Sequence, residues 1–265
     1  MHNTDLTAER RRPVVTNPEL IDNNHHMFAV LTADTYALQE QAYRLRYQVY
    51  CVENPYENPL EHANGLEIDE YDARSVHSVV LDRPSQIMTG TVRIILANPQ
   101  ALGTSFPIQK VCNHPMLLSQ NLALAPRCAE ISRFSVSKEL SRRSADTHPH
   151  LRPRDFVSPK RISVPHITLG LLNGVVEMSA EHGIEEWFAV MEPTLLRLLG
   201  RFGIYFSPIG PMVDYHGLRQ PCHANVETLL NRVRKERIDV WEIITDHGRL
   251  QRQAGDAIPP LRHAN

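Results

Sequence analysis

Cysteine is scarce in this chain: four residues in 265, at positions 51, 112, 128 and 222. None stands in a Cys-x-x-Cys pair, and no histidine pair lies at a matching spacing, so neither a structural zinc site nor a compact disulfide framework is readable. Reduced thiols in a cytoplasmic protein are the expectation. Long apolar runs are also missing. No stretch approaches the roughly 20 residues that cross a bilayer, so no stable membrane insertion is expected. The opening "MHNTDLTAERRRPVVTNPELIDNNHH" has no apolar core of the length a signal peptide needs. Charge of one sign is not in excess either: 28 Lys and Arg stand against 30 Asp and Glu, a net charge of -2, which offers nucleic acid no chain-wide basic field. No internal repeat of useful length is visible.

What is present, 42% hydrophobic and 22% charged residues, suits one globular domain with appendages. Residues 1–26 read as a flexible polar arm, 27–245 as the domain and 246–265 as a flexible tail. "DTYALQEQAYRLRYQVYCVE" predicts a helix capped by Asp34, with Leu38, Ala42, Leu45 and Val49 on one face and Arg46 and Tyr50 on another. "VHSVVLD" and "IMTGTVRIILAN", joined by "RPSQ", predict an antiparallel hairpin, and "RCAEISRFSVS" a further strand. A basic insertion follows at about 138–166. Then come helix "ITLGLLNGVVEMSAEH", strand "EEWFAVM", helix "PTLLRLLGRF", strand "IYFSPIG", a loop "PMVDYHGLRQPCHAN" and a last helix near "VETLLNRVRKER". Strands alternating with helices indicate an α/β sheet.

Four carboxylates, Glu67, Asp69, Glu70 and Asp72, crowd into six residues just before the first hairpin strand. Carboxylates so placed need partners of opposite charge. Arg93, Glu130 and Arg133 are charged residues inside strands, and Arg46 stands on the first helix; such groups are costly in a core unless paired. A network joining Arg46, Arg93 and Arg133 to Asp69 and Asp72 at one end of the sheet answers both needs. By itself such a network could do no more than pin the helix and acidic loop to the sheet.

The set Arg46, Tyr50, Asp69, Asp72, Arg93, Glu130 and Arg133 resembles the signature of the acyl-homoserine-lactone (autoinducer) synthases. The correspondence runs through the arginine and aromatic four apart, a following aromatic (Tyr56, where that family usually has tryptophan), the aspartates of "EIDEYDA", and the Glu-x-x-Arg of "EISRF". The chain also resembles the N-acyl amino acid synthases. More closely, "RYQVYCVE", "EISRFSVSK", "WFAVMEPTLLRLL" and "PIGPMVDYHGLRQPC" are similar to the acyltransferases that accompany the PEP-CTERM/exosortase protein-sorting system.

The resemblance implies a GNAT-like acyltransferase fold, with a mixed central sheet flanked by helices. It also implies transfer of a fatty acyl group from a carrier-protein thioester to a small amine, expected to be an amino acid. Tyr56 in place of tryptophan, the basic insertion and "VDYHGLRQPC" depart from the synthase pattern and count against S-adenosylmethionine as acceptor. No Gln/Arg-x-x-Gly-x-Gly/Ala pyrophosphate loop is present, which favours the phosphopantetheine arm of acyl carrier protein over free coenzyme A, with no cofactor held by the chain itself.

On this reading Glu130 is the general base, because burial in a strand raises a carboxyl toward a useful range. Arg133, Arg46 and Arg93 complete the catalytic set. Phe134, Ser135 and Val136 border a splayed strand whose N–H groups serve an oxyanion. Tyr50, Tyr56, Asp69, Asp72, Asp214, Tyr215 and His216 shape the substrate pocket, with Arg46 and Arg93 fixing the aspartates or holding an acceptor carboxylate. Arg142, Arg143, Arg152, Arg154, Lys160 and Arg161 face an acidic acyl carrier protein. The apolar faces of "LLNGVVEMS" and "LLRLLGRFG" are assigned to core packing rather than to a ligand. No metal site is expected; an autoinducer synthase using S-adenosylmethionine, a carrier-binding regulator without chemistry and a metal-dependent hydrolase using Glu67, Asp69, Asp72 and His77 are the rival readings.

Overall fold

The computed structural model describes residues 26–118, 126–139 and 164–251, together with Leu20 and Asn24. Strand β1 (Phe28–Thr32) leads into helix α1 (Tyr36–Tyr47), and the hairpin β2 (Ser75–Asp82) and β3 (Ile87–Leu96) is followed by β4 (Cys128–Val136). Helix α2 (Val164–His182), β5 (Glu186–Met191), α3 (Pro193–Arg201), β6 (Ser207–Pro208), β7 (Val213–Asp214), β8 (Leu218–Asn225), α4 (Val226–Glu236) and α5 (Ile238–Thr245) complete the described elements. The sheet runs β1-β2-β3-β4-β5-β8-β6, with β7 paired to β8 off that path. Neighbours are antiparallel except β4 and β5, which are parallel. The mixed sheet flanked by helices is the architecture that the resemblance implies.

Near-continuous apolar runs in β2 and β3 bury both faces of the sheet. Val79 packs with Ala42, Leu45 and Val49 of the α1 segment, whereas Val80, one residue on and therefore on the opposite face, packs with α2. Close approach on that second face depends on small residues. A Cβ at Gly174 of α2 would stand 2.1 Å from Ser78 Oγ and 2.6 Å from Ser78 Cβ, so Gly174→Ala should lose about 1–3 kcal/mol of stability through overpacking, despite alanine's better helix propensity. Urea unfolding reads this directly, and an unchanged midpoint would mean that helix and strand separate at little cost.

Several elements differ from the sequence expectation. Strand β1 is missing from the sequence expectation, which assigns no element between residues 27 and 33, yet Phe28 and Ala29 are buried. The cap of α1 is Thr35, whose Oγ1 accepts from Leu38 N at 3.3 Å, rather than Asp34. Past Tyr47 the helix widens into a π-helical segment, Gln48–Glu53, a distortion that often marks functional positions. "IYFSPIG" supplies only the two residues of β6, while the expected loop "PMVDYHGLRQPCHAN" contains β8, wedged between β5 and β6. Pro221, Gln220 and His223 disguise that strand by breaking the apolar alternation. Pro221 is tolerated because its carbonyl accepts from Ile209 N beside an edge strand of two residues.

Helix α5 is not among the expected elements; its Val240, Ile243 and Ile244 are core residues, and Trp241 Nε1 donates to Gln251 Oε1 at 2.7 Å. With Leu250 also buried, residues 246–251 are packed rather than a free tail. At the other end Asn24 Nδ2 donates to His166 O at 3.0 Å, tying the expected arm to α2. The remaining arm residues, the insertion between 140 and 163, and 252–265 lie outside the described residues.

Candidate active site

Strands β4 and β5 are registered from Cys128 opposite Glu186 to Ile131 opposite Ala189. Past Ile131, β4 keeps only its β3 partner, with Ser132 opposite Arg93 and Ser135 opposite Thr91. The register shift between these pairs is a bulge, and within it Arg133 takes φ 50°, a left-handed conformation uncommon outside glycine. The two strands splay, and a cavity of about 450 Å³ opens there. On the β5 side, residues 132–136 have no strand partner among the described residues, so that edge offers backbone groups to a ligand.

The cavity is apolar at its walls and charged at its rim. Ile131, Phe134 and Val136 of β4, Val190 and Met191 of β5, and Leu195 and Leu198 of α3 form the walls, with Val164 and Thr168 of α2. Tyr50, Arg133, Lys138, Glu192, Tyr215, His216 and Arg219 supply the polar groups. Glu53, from the π-helical segment, accepts from Ser137 Oγ at 2.6 Å and from Lys138 N at 3.0 Å, fixing the chain as it leaves β4.

Beneath Arg133 lies the ion network. Arg46, fully buried, donates through Nε to Glu67, and through Nη1 and Nη2 to both oxygens of Asp72 at 2.6 and 3.0 Å. Arg93 donates to both oxygens of Asp69 at 2.7 and 2.6 Å, to Asp72 Oδ1 at 2.6 Å, and through Nε to Ser132 Oγ at 2.9 Å. Arg133 donates to Glu67 Oε1 and to Glu57 Oε1, with its guanidinium 4.9 Å from the centre of the Tyr50 ring. Burial alone would raise the Glu67 carboxyl, but the Arg46 and Arg133 charges overcome it and hold it at about 2. Asp72 is likewise held well below the carboxylate range, burial being outweighed by the hydrogen bonds and charge of Arg46 and by Arg93. His77 sits edge-on to Tyr43 at 5.4 Å, held down to about 4 by burial and then by the Arg46 charge, so it is neutral near pH 7.

Glu130 stands apart. It forms no ion pair among the described residues; its Oε2 accepts from Ile108 N at 2.8 Å, between Ile95 on one neighbouring strand and Phe188 on the other. Burial pushes its carboxyl up to about 7, against the pull of the Ile108 N–H and of Arg93 and Arg133. The Glu130 side chain does not line the cavity, but Ser132, two residues along β4, does. Burial also raises the Tyr215 phenol at the rim, with Arg133 opposing and Glu130 adding to the shift.

The other sequence candidates divide clearly. Tyr50, Arg133, Phe134, Val136, Tyr215 and His216 border the cavity. Arg46, Arg93, Asp69 and Asp72 gather in one network but do not line it, and their charged groups are committed to one another. Tyr56 lies behind the rim, 6.1 Å from the Tyr50 ring, and its carbonyl is 3.2 Å from His216 Nδ1. Ser135 is buried with its hydroxyl on Arg133 O at 3.1 Å, and Asp214 is exposed on β7 outside the cavity lining. Arg142, Arg143, Arg152, Arg154, Lys160 and Arg161 lie outside the described residues.

Sequence reasoning missed Glu57, Glu53, Glu192 and Arg219, as well as the wall residues Leu195 and Leu198. It counted Glu67 in the acidic cluster without giving it a partner. The spacing of Glu67 from Asp69 was a usable signal, since a third carboxylate was needed to neutralise Arg133. Among the described residues no group of three metal-ligating side chains is arranged to hold a metal ion. Of the hydrolase candidates, the three carboxylates are engaged by arginines.

Residues 45–148 match the family model described as the acetyltransferase (GNAT) domain. No curated protein matches the chain. Among solved structures, that of TofI in a ternary complex with an inhibitor and MTA is similar with a TM-score of 0.54 at 18% identity, over 78% of this chain and 96% of the other. The CoA-dependent acyl-homoserine lactone synthase BjaI, with SAM and isopentyl-CoA, is similar with a TM-score of 0.52 at 20% identity, over 88% and 95%. FeeM, an N-acyl amino acid synthase from uncultured soil microbes, is similar with a TM-score of 0.52 at 15% identity, over 77% and 93%. The fold is GNAT-like.

Proposed function

We propose that this chain is an N-acyltransferase that moves a fatty acyl group from a thioester to a small amine. The observation that carries this reading is the opening between β4 and β5, where a strand edge without a ladder partner meets an apolar cavity of about 450 Å³. The reaction needs both: N–H donors for the oxyanion of the tetrahedral intermediate, and a dry slot that holds the acyl chain against them. Leu195 and Leu198 of α3, with Phe134 and Val136, form that slot.

The amine nitrogen attacks the thioester carbonyl carbon; the new C–N bond forms, the C–S bond breaks, and the thiol leaves. The amine must shed a proton to do so, and Glu130, raised to about 7, is suited to take it. The Glu130 side chain lies behind the cavity wall, so the proton reaches it through water rather than by direct contact. Arg46, Arg93, Asp69 and Asp72 act as the frame beneath the bulge, setting Arg133 and the edge that follows it.

Acyl carrier protein, through its phosphopantetheine thioester, is the donor, and the chain holds no cofactor of its own. The FeeM and BjaI likenesses support acyl transfer in general, and the acceptor of this reading is an amino acid. The same reading extends to a role beside the PEP-CTERM/exosortase system, whose acyltransferases four stretches of this chain resemble. Mass spectrometry of lipid extracts from cells expressing the protein tests the activity. An acylated amine absent from control cells is the expected result, and an unchanged lipid profile with folded protein present argues against it.

A further inference from the structure

Arg46 and Arg93 commit all three guanidinium nitrogens to carboxylates and Ser132, and Arg133 is held by Glu57, Glu67 and Asp69, whereas Arg219 meets a single carboxylate. It enters from β8, opposite Val213 of β7, with its side chain 10% exposed and lining the cavity. One nitrogen, Nη1, lies 2.5 Å from Glu192 Oε1, and the guanidinium stands 5.3 Å from the centre of the Tyr56 ring. Among the described residues its guanidinium has no other polar partner. A guanidinium carries five N–H donors in a planar fork, and a nearly buried one with most of them unmatched is poised for an anion. Glu192 is the first residue past β5, 44% exposed, and also lines the cavity.

We propose that Arg219 and Glu192 form the seat for the charged head of an amino-acid acceptor, the free edge of the guanidinium taking the carboxylate and Glu192 the ammonium. The inference rests on the transferase reading and deepens it by naming the residues that hold the acceptor. Two opposite charges in contact at a cavity rim complement a zwitterion. A phosphate group of the donor fits them less well, because Glu192 repels it. Arg219 presents the planar, bidentate geometry that suits a carboxylate, and Tyr56 backs it. Glu192 follows the last residue of β5 and lines the same cavity as the free β4 edge, so the seat and the thioester share one chamber.

The test uses dodecanoyl-acyl carrier protein and two acceptor pairs, phenylalanine against phenethylamine and leucine against isopentylamine. The wild-type protein should prefer each amino acid by about 10–100-fold in kcat/KM, the range expected for a charge-assisted pair. In Arg219→Ala that preference should collapse toward one, chiefly through the KM for the amino acid, with Arg219→Lys intermediate and the donor KM unmoved. Equal use of amine and amino acid by the wild type, or an equal loss for both acceptors in Arg219→Ala, would overturn the seat while leaving the transferase standing. If no acceptor is acylated, the transferase reading fails, and equilibrium binding of N-dodecanoylphenylalanine against N-dodecanoylphenethylamine decides the seat alone. Tighter binding of the carboxylate, lost in Arg219→Ala, supports it; equal binding removes it.

Discussion

Glu130→Gln should cut acyl transfer by about 10²–10⁴-fold, the contribution typical of a positioned general base, without unfolding the protein. Glutamine retains an oxygen to accept from Ile108 N but cannot take a proton. In the wild type, kcat/KM should rise with pH and level off above about 7, because the carboxyl pushed up by burial must be ionised to act. Linkage sets the stability in the opposite direction. A carboxyl raised from 4.5 to about 7 keeps its proton in the folded state after the unfolded chain has lost it. Stability from this group is therefore full below 4.5 and declines as pH rises to about 7, where folding must accommodate a buried charge. Glu130→Gln lacks this decline and should be the more stable protein at pH 8. An inactive variant with an altered fold, or an active one with the acid limb intact, would remove Glu130 from its role.

Glu67→Ala should cost about 3–5 kcal/mol of stability, the range for removing one partner from a buried charge pair. Glu67 is fully buried and faces two guanidiniums, so its loss leaves Arg46 without its Nε partner and Arg133 with Glu57 and Asp69 alone. Urea unfolding at pH 7 measures this, and a loss below about 1 kcal/mol would mean that solvent replaces the carboxylate. The same geometry gives an acid limb. With the Glu67 carboxyl held at about 2 against 4.5 unfolded, its contribution is full above 4.5 and is lost as pH falls toward about 2. Wild-type stability should fall steeply through that window, and Glu67→Ala less so.

Much of this frame was legible because charges inside strands demand partners. That Arg46 and Arg93 meet Asp69 and Asp72 at one end of the sheet could be read on that ground, though not which pairs with which; the structure sets Arg93 on Asp69 and Asp72 and Arg46 on Asp72. The α2 to α3 region was legible through helix periodicity and through Pro193 and Gly203 at the helix ends. Strand β8 was not, because Pro221 and His223 hide a central strand whose neighbours are supplied by β5 and β6. Losing β8 meant losing Arg219, which reads as a loop residue until the strand places it at the cavity. The splay after Arg133 was legible only through the resemblance, which set Phe134 and Val136 beside it; the residue types of "ISRFSV" do not announce that Arg133 turns left-handed. Leu195 and Leu198 looked like core positions because periodicity reports an apolar face without saying what covers it.

Most direct is a measurement with purified protein, dodecanoyl-acyl carrier protein and a mixture of the twenty amino acids, following free thiol and product mass together. The account predicts thiol release that depends on the amino acids and matches an N-dodecanoyl product mole for mole, with both lost in Glu130→Gln. Thiol released at the same rate without any acceptor, or no release from carrier-protein and coenzyme A thioesters alike, would contradict it.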